Sequence, residues 1–77
     1  MPPKLRPISG AETIRALERL GYVQARQRGS HVVLKKQLPS GRAIGCVVPL
    51  HQELAIGTLR SILRQAEVTP EEFIINL

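Results

Sequence analysis

The sequence predicts an α+β fold built on a small antiparallel sheet, and three features say so. Residues 9 to 21 carry helical spacing between a capping signal and a glycine. Residues 22 to 48 hold three short segments separated by glycine-containing turns, and residues 59 to 77 return to helical spacing. Helices set at both ends of a run of strands pack together on one side of the sheet. The expected order is α-β-β-β-α with a three-stranded antiparallel sheet and a short C-terminal helix, one sheet face covered and the other open.

Residues 1 to 8 contain three prolines and two basic residues, which predicts an extended basic lead-in that adds little to the core. The single folded domain is expected over residues 9 to 77. Its first helix starts at Ser9, where Ser9 and Glu12 have the spacing of a capping box, and Ile14, Leu17 and Leu20 form its apolar stripe. Gly21 ends it as a C-terminal cap.

From Tyr22 the period becomes two. Strict alternation puts Val23 and Ala25 on one side, and Gln24, Arg26 and Arg28 on the other. Gly29 and Ser30 are turn residues, so His31 is expected as the first residue of the second strand, next to an exposed loop. In that strand Val32 and Leu34 share the apolar side. His31, Val33 and Lys35 share the other, which matches His31 and Lys35 with Gln24 and Arg26 on one open face. Lys36 should point the opposite way.

A second turn at Pro39, Ser40 and Gly41 leads to a third strand over Arg42 to Val48, whose almost continuous apolar run predicts the most buried of the three. After a linker from Leu50 to Leu54, the residues Leu59, Ile62, Leu63 and Ala66 repeat at helical spacing with Arg60, Arg64 and Gln65 outward. Thr69, Pro70 and Glu72 form another helix start, followed by a short stripe of Phe73 and Leu77.

Eleven Lys and Arg against six Asp and Glu give a net charge of +5, which points to a polyanionic partner. Tyr22 and Phe73 are the two aromatic residues, too few for the stacking platform of a single-strand nucleic-acid binder. No apolar run approaches the ~20 residues of a membrane span, and the first residues lack the apolar segment of a signal peptide, so a cytoplasmic location and no membrane partner are expected. The lone cysteine, Cys46, lies in an apolar run and reads as a small buried thiol. His31 and His51 have no third ligand at suitable spacing, so neither a metal nor a cofactor is expected. His51 is expected to position the approach to the second long helix.

The helix–three-strand–helix order is the one used by double-stranded RNA-binding domains. The residues also resemble a particular family, the HicA toxins, small messenger-RNA interferases of HicAB toxin–antitoxin systems with a double-stranded-RNA-binding-like fold. The resemblance is carried by the helix from Ser9 to Gly21 followed by Tyr22, by Gly29, Ser30 and His31, and by Val48, Pro49, Leu50 and His51. It continues through Gly57 to Ala66 and closes with Thr69 to Phe73. It implies that His31 is the catalytic residue, that messenger RNA is the substrate, and that an antitoxin of HicB type covers the site.

The chemistry expected is metal-independent endoribonuclease cleavage with His31 as general acid or base, because imidazole exchanges protons near neutral pH and RNA supplies its own nucleophile. Arg26, Arg28, Gly29, Ser30 and Lys35 are the candidate RNA-binding residues. Ser30 is a candidate phosphate partner and not a nucleophile, since no Ser/His/acid triad is readable. The alternative is a non-catalytic RNA-binding module that grips phosphate by shape.

Overall fold

The computed structural model describes residues 4–77; residues 1 to 3, the start of the expected lead-in, lie outside the described residues. The elements are α1 (Gly10–Arg19), β1 (Val23–Arg28), β2 (His31–Gln37), β3 (Ala43–Pro49), α2 (Ile56–Gln65) and α3 (Pro70–Ile75). The sheet is antiparallel in the order β1-β2-β3. This is the α+β architecture expected of the sequence.

Local chemistry accounts for the helix ends. At α1 the Ser9 hydroxyl accepts from the Glu12 N–H at 3.0 Å and the Glu12 carboxylate accepts from the Ser9 N–H at 3.2 Å, completing a capping box. Its other end closes through Gly21 at φ +100°, with the Tyr22 N–H donating to the Leu17 carbonyl at 3.0 Å. Thr69 and Glu72 repeat the capping box at α3. α2 has no side-chain cap at Ala55, and it ends through Glu67 at φ +56°. The Glu67 carboxylate forms two 3.0 Å bonds with the Arg42 guanidinium, which also holds it below the usual carboxylate range.

The core lies between the helices and one face of the sheet. Val32, Leu34, Cys46 and Val48 meet Ile14, Leu17, Leu59, Leu63 and Phe73 there. Tyr22 is buried among them and donates from its hydroxyl to the Ala66 carbonyl at 2.6 Å, fastening the start of β1 to the end of α2. Two close approaches fix the end of β3. The Gly10 N–H donates to the His51 carbonyl at 2.9 Å, and a Cβ on Gly10 would lie 2.0 Å from the Pro49 carbonyl oxygen, so only glycine fits.

Four details differ from the sequence reading. Ile8, at the end of the lead-in, is buried and bridges to Leu54, whose N–H donates to the Ile8 carbonyl at 2.6 Å. β3, expected to be the most buried strand, is an edge strand with two buried residues, no more than the central β2, and its apolar run leaves Val47 exposed on the open face. Leu77 stays 44 % exposed and only Phe73 of the terminal stripe is buried. His51 acts through its backbone carbonyl at the start of α1, a role the sequence did not suggest. No helix among the described residues is long and apolar enough to cross a membrane.

Candidate nucleic-acid interface and catalytic site

The site begins with a tight turn. Arg28 pairs with His31 across the hairpin, leaving Gly29 and Ser30 as a two-residue loop. Gly29 has φ +58°, and a positive φ at the first loop residue is what the two-residue hairpin turns that suit the strand twist require. The Gln27 amide donates to the Gly29 carbonyl at 2.9 Å, and the Leu50 N–H donates to the Ser30 carbonyl at 2.6 Å. The turn is thus held from both neighbouring strands, and His31 leaves it as the first residue of β2.

His31 is exposed and lies between two partners, Arg28 on β1 and Pro49 on β3. Directly paired residues have Cβ atoms about 4.5–5.5 Å apart, so a guanidinium and the imidazole reach the same small ligand. Arg26 pairs with Val33 and Lys35 pairs with Val23, which places both on the face that carries His31. All of Arg26, Arg28, Gly29, Ser30, His31 and Lys35 are exposed. The sequence-derived set is therefore brought together on the uncovered side of the sheet.

Gln24 is a correction. A bulge between Gln24 and Arg26 makes Ala25 the extra residue, so Gln24 pairs with Leu34 on the helix-covered face while Val23 turns outward at 63 % exposure. The Gln24 amide faces the Glu18 carboxylate of α1 at 3.5 Å. Lys36 departs as alternation requires. Its ammonium donates to the Leu20 carbonyl at 2.7 Å and lies 6.0 Å from the Tyr22 ring centroid, so it closes the end of α1.

Beside His31 the open face of β3 and the flank of α2 form a groove of about 470 Å³, lined by His31, Val47, Pro49, Thr58, Ser61 and Gln65 among others. Sequence reading missed this groove. Thr58, Ser61 and Gln65 recur at i, i+3 and i+7 next to the buried stripe of α2, a polar stripe visible in the sequence, but its meeting with His31 depends on how α2 flanks β3.

Cys46 is buried on the opposite face, and burial pushes its thiol up to about 11, which removes it from nucleophilic chemistry near neutral pH. Among the described residues, no three His, Cys, Asp or Glu side chains gather in a group able to hold a metal ion.

No curated protein matches the chain. The family model described as HicA toxin of bacterial toxin–antitoxin matches residues 10–68, from the first residue of α1 to just beyond α2, and so takes in the turn, His31 and the groove. The chain belongs to the HicA toxins of bacterial toxin–antitoxin systems.

Proposed function

We propose that this toxin acts as a metal-independent endoribonuclease on messenger RNA, with His31 as the proton-transfer residue. The observation that supports the reading most is the position of His31. It opens the central strand on the uncovered face, directly opposite Arg28, with Arg26 and Lys35 on the same face and a groove alongside.

In the proposed step the 2′-oxygen of a ribose bonds to the adjacent phosphorus and the P–O5′ bond breaks. The 2′-hydroxyl gives up its proton and the departing 5′-oxygen gains one, leaving a 2′,3′-cyclic phosphate. His31 handles one of these protons, an assistance typically worth about 10² to 10⁴ in rate. Arg28, with Arg26 and Lys35 along the strand face, neutralises the negative charge that grows on the phosphoryl oxygens. Gly29 and Ser30 supply the turn that presents the imidazole, with the Ser30 hydroxyl directed to phosphate recognition. The net charge of +5 favours association with a polyanion.

Membership of a toxin–antitoxin family implies a cognate antitoxin; an antitoxin of HicB type with an acidic surface would block the exposed basic face. An RNA substrate and a single buried thiol both suit a cytoplasmic location.

The test is cleavage of a long unstructured RNA in EDTA by the wild type and by His31→Ala, with binding of the same RNA measured in parallel. Retained binding with cleavage lost in the variant is the expected result. Equal cutting by both proteins rules out His31, and wild-type binding without cutting assigns the chain to the non-catalytic RNA-binding modules.

A further inference from the structure

Seven hydroxyl-bearing residues occur in the chain outside tyrosine, and contacts among the described residues use four of them. Ser9 and Thr69 cap helices, Thr13 donates to the Ser9 carbonyl at 2.9 Å, and Ser40 accepts from the Arg42 N–H at 3.3 Å. The other three are Ser30, Thr58 and Ser61. Ser30 adjoins His31 in the turn, and Thr58 and Ser61 line the groove that His31 enters. Of the five glutamines, Gln52 is exposed away from the groove, and the other four divide in a similar way. Gln24, Gln27 and Gln37 donate from their amides within the fold, to Glu18, Gly29 and Gly41, whereas Gln65 lines the groove with its side chain exposed.

Opposite this polar wall lies an apolar one. Val47, 42 % exposed, and Pro49 belong to β3 on the face of the sheet that carries His31, since Val47 pairs with Val33 and Pro49 with His31. The volume of about 470 Å³ lies in the ~300–1,000 Å³ range of small-ligand sites. An apolar floor beside one row of uncharged donors and acceptors suits a flat heterocycle that carries hydrogen-bonding groups on its edge.

We propose that the groove between β3 and α2 binds the base of one unpaired nucleotide next to the scissile phosphate, and that Ser61 and Gln65 read its edge. The proposal rests on the RNA-cleaving reading above for the place of the phosphate at His31. The base lies against Val47 and Pro49, the Gln65 amide offers a donor and an acceptor together, and the Ser61 hydroxyl offers either. Carboxamides make paired hydrogen bonds to base edges in this manner. Thr58, at the far end of the same helix face, contacts the sugar or the next phosphate. Selectivity then comes from hydrogen bonding and not from aromatic stacking, in keeping with the scarcity of aromatic residues.

Such a groove selects for an unpaired strand. A base lying flat against Val47 and Pro49 must first leave the helical stack, so duplex RNA is disfavoured however well its phosphates suit the basic face.

Two measurements test this. The first maps cleavage positions on a long unstructured RNA for the wild type, Ser61→Ala, Gln65→Ala and the groove-filling Ser61→Tyr. The second measures binding of single-stranded tetranucleotides, differing at one base, to His31→Ala and to the same variants made in that background; unfolding midpoints confirm that each protein is folded. The expected result is loss of base preference beside the cut and a roughly tenfold fall in affinity for the preferred tetranucleotide on removal of Gln65 or Ser61, with a larger loss for Ser61→Tyr. Absence of cleavage by the wild type, together with tetranucleotide binding that still depends on Ser61 and Gln65, contradicts the catalytic reading and leaves the groove assignment standing. Unchanged cleavage positions and unchanged tetranucleotide affinities in all variants overturn it.

Discussion

Arg28 and His31 face one another as the last cross-strand pair of the β1–β2 hairpin, separated by two turn residues in the chain and brought side by side by the turn. The pairing gives the imidazole a guanidinium neighbour that does not depend on any other element. Replacing Arg28 by Ala should therefore lower kcat/KM for RNA by roughly 10²-fold, the scale for losing one donor to developing charge. Binding should also lose about 0.7 from its logarithmic salt slope, as for one phosphate contact on a single strand. Steady-state cleavage and a salt titration of binding check both, and an unchanged slope would mean that Arg28 does not touch phosphate.

Gly29 is needed for its backbone, not for space. Its φ is +58° and nothing lies within 4 Å of a Cβ built there. Gly29→Val should cost about 1–2 kcal/mol through the left-handed conformation alone, and Gly29→Asn less, because asparagine tolerates that region. Urea unfolding should rank the three proteins glycine, asparagine, valine. Cleavage should follow the same rank, since a distorted turn moves His31.

Gly10 presents the opposite case. A Cβ there would meet the Pro49 carbonyl oxygen at 2.0 Å, with the Pro49 carbon at 3.0 Å, and both are backbone atoms. Gly10→Ala should destabilise the protein by about 1–3 kcal/mol or more, as overpacking does. Because Pro49 is the residue paired with His31, activity below the unfolding midpoint should fall as well. Thermal unfolding monitored alongside RNA cleavage separates the two effects.

Alkaline stability should decline in a defined window. Burial pushes the Tyr22 hydroxyl up to about 12 and the Cys46 thiol up to about 11, from ordinary values of 10.0 and 9.0. Each group is neutral in the fold and gives up its proton more readily once unfolded. Their contribution is thus complete below pH 9 and lost as pH rises through 11 and 12, where the unfolded state holds fewer protons. Urea midpoints measured from pH 8 upward should fall, and Tyr22→Phe with Cys46→Ala should flatten that decline. Tyr22→Phe should also cost about 1 kcal/mol at neutral pH through loss of the bond to Ala66.

Features with local causes were legible in the sequence. The Ser9–Glu12 and Thr69–Glu72 capping boxes, the Gly21 stop and the Gly29–Ser30 turn each act within a few residues, and each appears where its residue types predict. Phase within β1 was not legible, because the bulge at Ala25 shifts the alternation that a period of two assumes. Arg26 and Arg28 keep the expected face, whereas Val23 and Gln24 exchange theirs. The start of α2 was hidden by the lack of a side-chain cap at Ala55. The groove was hidden for a longer-range reason: His31, Val47 and Ser61 belong to different elements, and they meet through the packing of Leu59, Ile62 and Leu63 of α2 into the core. Tyr22 read as the start of a strand, yet its hydroxyl serves the end of a helix at Ala66.

Cleavage of two matched oligonucleotides in EDTA, one all-ribose and one with a single 2′-deoxyribose at the mapped cut, tests the proton-transfer reading of His31 most directly. The wild type should cut the all-ribose strand to a 2′,3′-cyclic or 3′-phosphate end and leave the deoxy position intact, and His31→Ala should cut neither. Cleavage at the deoxy position, 3′-hydroxyl products, or a His31→Ala protein as active as the wild type would contradict it.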